Sequence, residues 1–161
     1  MPRALVIGYG NPSRRDDGVG HYVVNALRQR LGQIPLGAEE EGFDKLGQDV
    51  DTLCLQQLIP ELAETVAGYD LVIFVDAHTG AYPEDLKVAR LQPDYRPTPT
   101  SHYFKPEMVL ALAKALHGSE PQALAISIRG YDFNFGTELS PETRRHADLA
   151  VERILRILEG A

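Results

Sequence analysis

The sequence predicts an α/β fold, a three-layer sandwich in which helices cover both faces of a mostly parallel, twisted sheet. Apolar strand segments alternate with amphipathic helical segments along the chain, as in domains built from strand–helix–strand units. The clearest strand, Leu71–Val75, is apolar at every position, which is typical of a central strand that is buried on both faces. We expect residues 1–161 to form a single domain.

The first half of the chain contains two further strand segments and two helical segments. A short, branched apolar run predicts the first strand. Apolar residues at helical spacing, with an acidic pair in the first turn, predict the first helix. A proline at a first helical position and a glycine beyond the last one bound a second, short helix. The predicted elements are a strand at Arg3–Gly8, a helix at Asp16–Leu31, a loop at Ile34–Gly47, a strand at Asp49–Leu55 and a helix at Glu61–Ala67.

The second half repeats this alternation after the central strand. Three prolines exclude regular structure from a surface segment that leads directly to Ser101-His102. A serine-proline pair predicts the start of the last helix. The predicted elements are a strand at Leu86–Leu91, the proline-rich segment at Gln92–Thr100, a helix at Pro106–Leu116, a strand through Leu124, Ile126 and Ile128, a loop at Tyr131–Gly136 and a final helix from Pro141.

Composition excludes several classes of function. The net charge of −7 argues against a nucleic-acid partner, because such proteins carry a basic surface. No apolar run approaches the length of a membrane span. Cys54 is the single cysteine, so an intramolecular disulfide framework and a four-cysteine zinc site are excluded. These features together predict a cytoplasmic protein without nucleic-acid or membrane partners.

The loop after the first strand contains two glycines and two adjacent aspartates, within Gly8–Gly20, GYGNPSRRDDGVG. The dinucleotide-binding pattern requires a glycine where this chain has Ser13, and no Gly-Lys-Ser/Thr sequence is present. No tightly bound organic cofactor is therefore expected. A loop that carries two carboxylates favours a cation over a phosphate, so we interpret it as a cation loop.

Ligand sites in parallel sheets lie at the carboxyl ends of strands, which directs attention to the aspartates that follow strands. Asp16 and Asp17 point about 100° apart on a helix, so we expect one of them to cap the helix and the other to face a ligand. Asp76 follows five apolar residues and would be costly there unless solvated, paired or bound to a metal. His102 lies in an extended approach to a helix. Carboxylates with an imidazole suit zinc or nickel.

Four motifs in order resemble the nickel-iron hydrogenase maturation endopeptidases. The first is Gly8–Gly20, which resembles the family's Gly-x-Gly-Asn followed by Asp-Asp/Glu-Gly-x-Gly. The others are Leu71–Ala77 (LVIFVDA), Ser101-His102 with the helix through Val109–Ala113, and Gly136–Glu142 (GTELSPE). The resemblance runs over nearly the whole chain.

The resemblance implies an aspartic-type endopeptidase that removes the C-terminal extension of a hydrogenase large-subunit precursor after nickel insertion. It implies Asp17, Asp76 and His102 as the catalytic, metal-contacting residues, with the nickel carried by the precursor. Asp17 stands where the family commonly has glutamate, and this choice leaves Asp16 to cap the helix. The metal would serve as a recognition element, or would also polarise the scissile carbonyl or activate water.

One segment departs from the common family pattern. Gln56–Ala63 (QQLIPELA) replaces the Asp-Gly-Gly-Thr-like stretch and is similar to the His-Gln-Leu-x-Pro-Glu variant of enzymes that serve bidirectional, NAD-linked hydrogenases, with Gln56 in place of histidine. The hydrogenase class served is thus left open. Two other functions also remain open at this point: a self-contained zinc-dependent amidase or peptidase, and a non-catalytic, nickel-dependent chaperone of the precursor.

Overall fold

The protein forms a five-stranded sheet with helices on both faces, which confirms the predicted α/β class. The structure is a computed structural model that describes residues 3–94 and 104–160. The strands are β1 (Ala4–Tyr9), β2 (Val50–Leu55), β3 (Leu71–His78), β4 (Leu86–Arg90) and β5 (Gln122–Arg129). The helices are α1 (Val19–Arg30), α2 (Leu62–Val66), α3 (Pro106–His117) and α4 (Pro141–Gly160).

The strand order is β2-β1-β3-β5-β4. All neighbouring pairs are parallel except β4 with β5, which is antiparallel. The chain moves from β1 to β2 on one side and then crosses to β3 on the other side. The direction of winding therefore changes at β1, and a crevice is expected between the carboxyl ends of β1 and β3.

Two apolar clusters hold the three layers together, one on each face of the sheet. Helices α1 and α4 pack on one face and α2 and α3 on the other. Residues of β1 alternate between the clusters, since Ala4 and Val6 face α1 and α4 while Leu5 and Ile7 face α2 and α3. Among the described residues, no helix is both long and apolar enough to cross a membrane.

Two predicted boundaries were wrong in an informative way. The segment predicted as one helix from Asp16 is a short 3-10 helix, Arg15–Gly18, followed by α1. The central strand does not end at Asp76 but continues to His78, because Asp76, Ala77 and His78 pair with Ser127, Ile128 and Arg129 of β5. Part of the proline-rich segment, positions 95–100, lies outside the described residues.

The glycines of the first loop allow α1 to approach β1 very closely. A Cβ atom on Gly8 would lie 2.2 Å from the carbonyl oxygen of Gly20, so neither backbone has room for a side chain there. This contact brings the 3-10 helix, and with it the acidic pair, directly above the end of β1.

We expect the Gly8→Ala variant to be destabilised by about 3 kcal/mol, because the new methyl group overpacks a contact between two backbones. Urea unfolding measures the effect. Gly68→Ala is the matched control, since a Cβ atom there would have its nearest neighbour at 3.6 Å. Equal stability of the two variants would contradict the role assigned to the close approach.

Candidate functional site

The structure brings Asp17 and Asp76 together at the crevice between β1 and β3. Asp17 lies in the 3-10 helix that follows β1, and Asp76 lies near the carboxyl end of β3. The two carboxylates are close enough for the charge of Asp17 to raise the pKa of Asp76. His102 lies outside the described residues. Within the described residues, no group of three histidine, cysteine, aspartate or glutamate side chains is placed to hold a metal ion.

Asp17 is held by the backbone of its own loop. Its Oδ2 atom accepts a hydrogen bond of 2.7 Å from the backbone N–H of Asn11, and its side chain is partly exposed. Gly10 adopts a φ of +138°, and a Cβ atom there would lie 2.2 Å from the Asp17 carbonyl oxygen. The glycine therefore allows the loop to fold back onto Asp17, which explains why Gly10 precedes the acidic pair in this loop.

Asp76 lies in a row of polar side chains that crosses three strands. Its Oδ1 atom accepts a 3.3 Å hydrogen bond from the Ser127 hydroxyl on β5, and Tyr9, at the end of β1, is the neighbouring residue on its other side. Burial raises the pKa of Asp76 to about 6, and the negative charges of Asp17 and Glu107 act in the same direction. The nearby hydroxyls of Tyr9 and Ser127 oppose this shift by stabilising the ionised form.

Asp16 does not cap α1, contrary to the prediction. It is 0% exposed and accepts five hydrogen bonds from the segment that follows β5 and from the start of α4. The donors are the backbone N–H groups of Tyr131, Asp132 and Ser140 and the hydroxyls of Ser140 and Thr143. Asp16 is therefore a structural carboxylate, which leaves Asp17 as the member of the pair that is available to a ligand.

The loop around Asp16 is further joined to the segment after β5 through backbone contacts. The N–H of Arg15 donates to the carbonyl of Gly136, and the N–H of Gly136 donates to the carbonyl of Ser13, both at 2.9 Å. Arg15 adopts a φ of +45°, and its Nε atom lies 3.0 Å from Asp132 Oδ2. The contacts fix the acidic loop against an element that is remote in sequence.

His78 shares the face of β3 that carries Asp76, because the strand continues further than its sequence indicated. Both nitrogen atoms of its ring nevertheless form hydrogen bonds with backbone atoms of the turn between β3 and β4. The Nδ1 atom accepts from the N–H of Gly80, so the Nε2 atom donates to the carbonyl of Glu84. These two hydrogen bonds give the ring a structural role in the turn.

Sequence reasoning did not identify Tyr9 and Ser127 as part of the site. Ser127 offered a weak signal, since it is a polar residue between the apolar Ile126 and Ile128. Tyr9 offered none, because its position beside Asp76 depends on the pairing of β1 with β3. Gln56, the position that departs from the variant motif, is exposed immediately beyond β2 at the same edge of the sheet.

Comparison with solved structures identifies the architecture. The NiFe hydrogenase maturation protease HycI from Thermococcus kodakarensis KOD1 is similar over 98% of this chain and 93% of its own, with a TM-score of 0.70 and 23% sequence identity. The hydrogenase maturating endopeptidase HybD from E. coli is similar over the same shares, with a TM-score of 0.67 and 21% identity. The chain has the fold of the hydrogenase maturation proteases.

A third solved structure has a similar fold. The hydrogenase 2 maturation peptidase from a Thaumarchaeota archaeon is similar over 97% of both chains, with a TM-score of 0.62 and 24% identity. The sequence matches no family model and no curated protein.

Proposed function

We propose that this protein is an endopeptidase that removes the C-terminal extension of a nickel-iron hydrogenase large-subunit precursor after nickel has been inserted. The observation that carries the proposal is the meeting of Asp17 and Asp76 at one crevice of a maturation-protease fold. The four sequence motifs support it independently, because two of them supply these carboxylates and a third supplies His102. A cytoplasmic location and an aspartic type are parts of the same proposal.

In this proposal the nickel belongs to the substrate. Asp17, Asp76 and His102 contact it while it remains held by the precursor, and carboxylates with an imidazole suit nickel as ligands. Asp76 has a pKa of about 6, so it is mostly ionised at neutral pH and attracts a cation. The nickel would then place the scissile peptide bond beside the crevice.

The reaction is hydrolysis of one peptide bond. The oxygen of water joins the carbonyl carbon, the carbon–nitrogen bond breaks, and a proton reaches the leaving amine. An ionised carboxylate at the crevice is able to accept the proton that water loses and later return one. Asp76 suits this exchange, because its pKa of about 6 lies near neutrality.

Cleavage is expected only when the precursor carries nickel. The experiment mixes the purified protein with nickel-loaded and with nickel-free precursor and follows shortening of the precursor by mass spectrometry. Reloading the nickel-free sample is the matched control and should restore cleavage. Equal cleavage of both precursors, or of neither, would overturn the proposal.

A further inference from the structure

We infer that Arg129 binds an acidic side chain of the precursor, close to the scissile bond, and so helps to select the substrate. The inference rests on the proposed function, which supplies the precursor as the partner. It adds an anion-binding group to a crevice whose carboxylates, Asp17 and Asp76, suit a cation. The sequence motifs assign no role to Arg129, and neither does the proposed reaction.

Arg129 lies on the same face of the sheet as Asp76 and near the same end. Asp76 pairs with Ser127, and two positions further along both strands His78 pairs with Arg129. Side chains two positions apart on a strand share a face, and two residues of strand span about 7 Å. The side chain of Arg129 therefore stands at the crevice, one step beyond the row that contains Asp76.

The guanidinium of Arg129 is held in place without using its hydrogen-bond donors. A Cβ atom on Gly80, in the turn between β3 and β4, would lie 2.9 Å from its Nη1 atom, and its Cζ atom lies 5.1 Å from the centre of the Tyr131 ring. Its Nε atom is buried, yet none of the described residues accepts a hydrogen bond from it. A buried donor without a partner is costly, so an acceptor that arrives with a ligand would stabilise this arrangement.

The charge of Arg129 is also left unpaired within the part of the chain that the structure describes, where no salt bridge joins it to a carboxylate. Asp85 is the acidic residue beside it, since the Asp85 carbonyl accepts from the N–H of Arg129. The Asp85 carboxylate has other partners, because it accepts a 3.1 Å hydrogen bond from the Tyr131 hydroxyl and lies 3.7 Å from His146 Nε2. The guanidinium thus remains available to an external anion.

A second cation stands on the same face. Lys87 of β4 pairs with Ser127, and residues directly opposite each other on antiparallel strands share a face. Its Nζ atom lies 4.0 Å from the centre of the Tyr82 ring. The crevice therefore has carboxylates on its β1 and β3 side and cations on its β4 and β5 side, although the net charge of the protein is −7.

A carboxylate is the anion that this arrangement fits best on a peptide substrate. A guanidinium presents its N–H groups in a planar fork that matches the two oxygens of a carboxylate. An extended peptide advances by about 3.3 Å per residue. A carboxylate at Arg129 would thus belong to a residue about two to four positions from a peptide bond at Asp76.

The first test compares steady-state cleavage of nickel-loaded precursor by the wild type and three variants. Arg129→Gln is expected to raise KM by about 10- to 100-fold, the loss that charged hydrogen bonds represent, while kcat stays within about threefold. Arg129→Lys keeps the charge but not the fork, so its KM should rise less. Arg153→Gln removes the same charge from an exposed position on α4 and should leave KM unchanged.

The second test changes the precursor. Each aspartate or glutamate within four positions of the scissile bond is replaced by its amide. One of these changes should raise the KM of the wild-type protein as much as Arg129→Gln does, and the two changes together should add nothing further. This arm uses the wild-type protein and so remains decisive if Arg129→Gln folds poorly.

The outcomes separate this inference from the proposed function. A wild-type protein that does not cut the precursor overturns the proposed function, and the anion site is then tested with sodium acetate. The NMR signal of the Arg129 Nε–H group, identified by its loss in Arg129→Gln, should shift saturably with acetate but not with sodium chloride at equal ionic strength. The absence of that shift would overturn the site itself.

Cleavage by the wild type allows the role in substrate selection to be judged directly. An unchanged KM in Arg129→Gln, or no effect of any amide substitution in the precursor, would overturn this role. A KM that responds only to amidation of the precursor's C-terminus would overturn the choice of a side chain as the bound group.

Discussion

The Asp17→Ala variant is expected to lose cleavage of nickel-loaded precursor by about 1,000-fold or more, because in the proposed function the precursor's nickel then loses a contact that positions the scissile bond. Its free energy of unfolding should change by only about 1 kcal/mol. The carboxylate is partly exposed and accepts a hydrogen bond from Asn11, and a single hydrogen bond contributes about that much. Cleavage kinetics and urea unfolding measure the two quantities.

A matched control removes the same charge elsewhere. Asp44 lies in the first turn of another 3-10 helix, Phe43–Lys45, and is exposed. Asp44→Ala should retain wild-type cleavage. If Asp17→Ala cuts at the wild-type rate, the assignment of Asp17 is wrong, and if both variants lose activity, the effect comes from net charge rather than from the site.

For Asp16, one residue earlier, the main expected effect of substitution is on stability. Asp16→Ala should lower the free energy of unfolding by about 4 kcal/mol or more, because several buried donors lose their acceptor at about 1–3 kcal/mol each. The donors lie on Tyr131, Asp132, Ser140 and Thr143. Urea unfolding at neutral pH measures the loss, with Asp17→Ala as its natural comparison. Similar stability of the two variants would mean that Asp16 does not hold the loops together.

The pH dependence of stability provides an independent check on the role of Asp16. Burial raises the pKa of this carboxyl, but hydrogen bonds from Ser140, Tyr131 and Asp132 outweigh burial, and the net pKa is lowered. Its contribution to stability is therefore full above the ordinary pKa of aspartate, about 3.9, and is lost as the pH falls through the lowered value. The stability gap between wild type and Asp16→Ala should stay constant from about pH 7 to 5 and narrow below about pH 4.

The fold class and the location of the crevice could be predicted from the sequence, because both depend on local patterns. Apolar runs and their spacing indicate strands and helices, and the rule for parallel sheets directs attention to aspartates near the carboxyl ends of strands. The adjacency of Asp16 and Asp17 also indicated that the two have different surroundings, and in the structure Asp16 is buried while Asp17 is partly exposed.

The roles of individual residues in the site could not be predicted, because they depend on contacts between segments that are distant in sequence. Asp16 was expected to cap the helix that it precedes, but its partners lie 115 to 127 positions further along the chain. The contacts of Tyr9 and Ser127 with Asp76 likewise follow from strand register. His78 joined the face of Asp76 because β5 extends β3 beyond the point at which its apolar run ends.

The hydrogen bonds of Asp16 also imply that the site forms only late in translation. The ribosome makes the acidic loop early, but the donors that shape this loop belong to residues 131–143. Until that stretch has emerged and packed, Asp16 lacks these partners, and the loop that carries Asp17 is not joined to the rest of the fold through them. We therefore expect a nascent chain to gain the proposed activity only after the start of its last helix has packed against this loop.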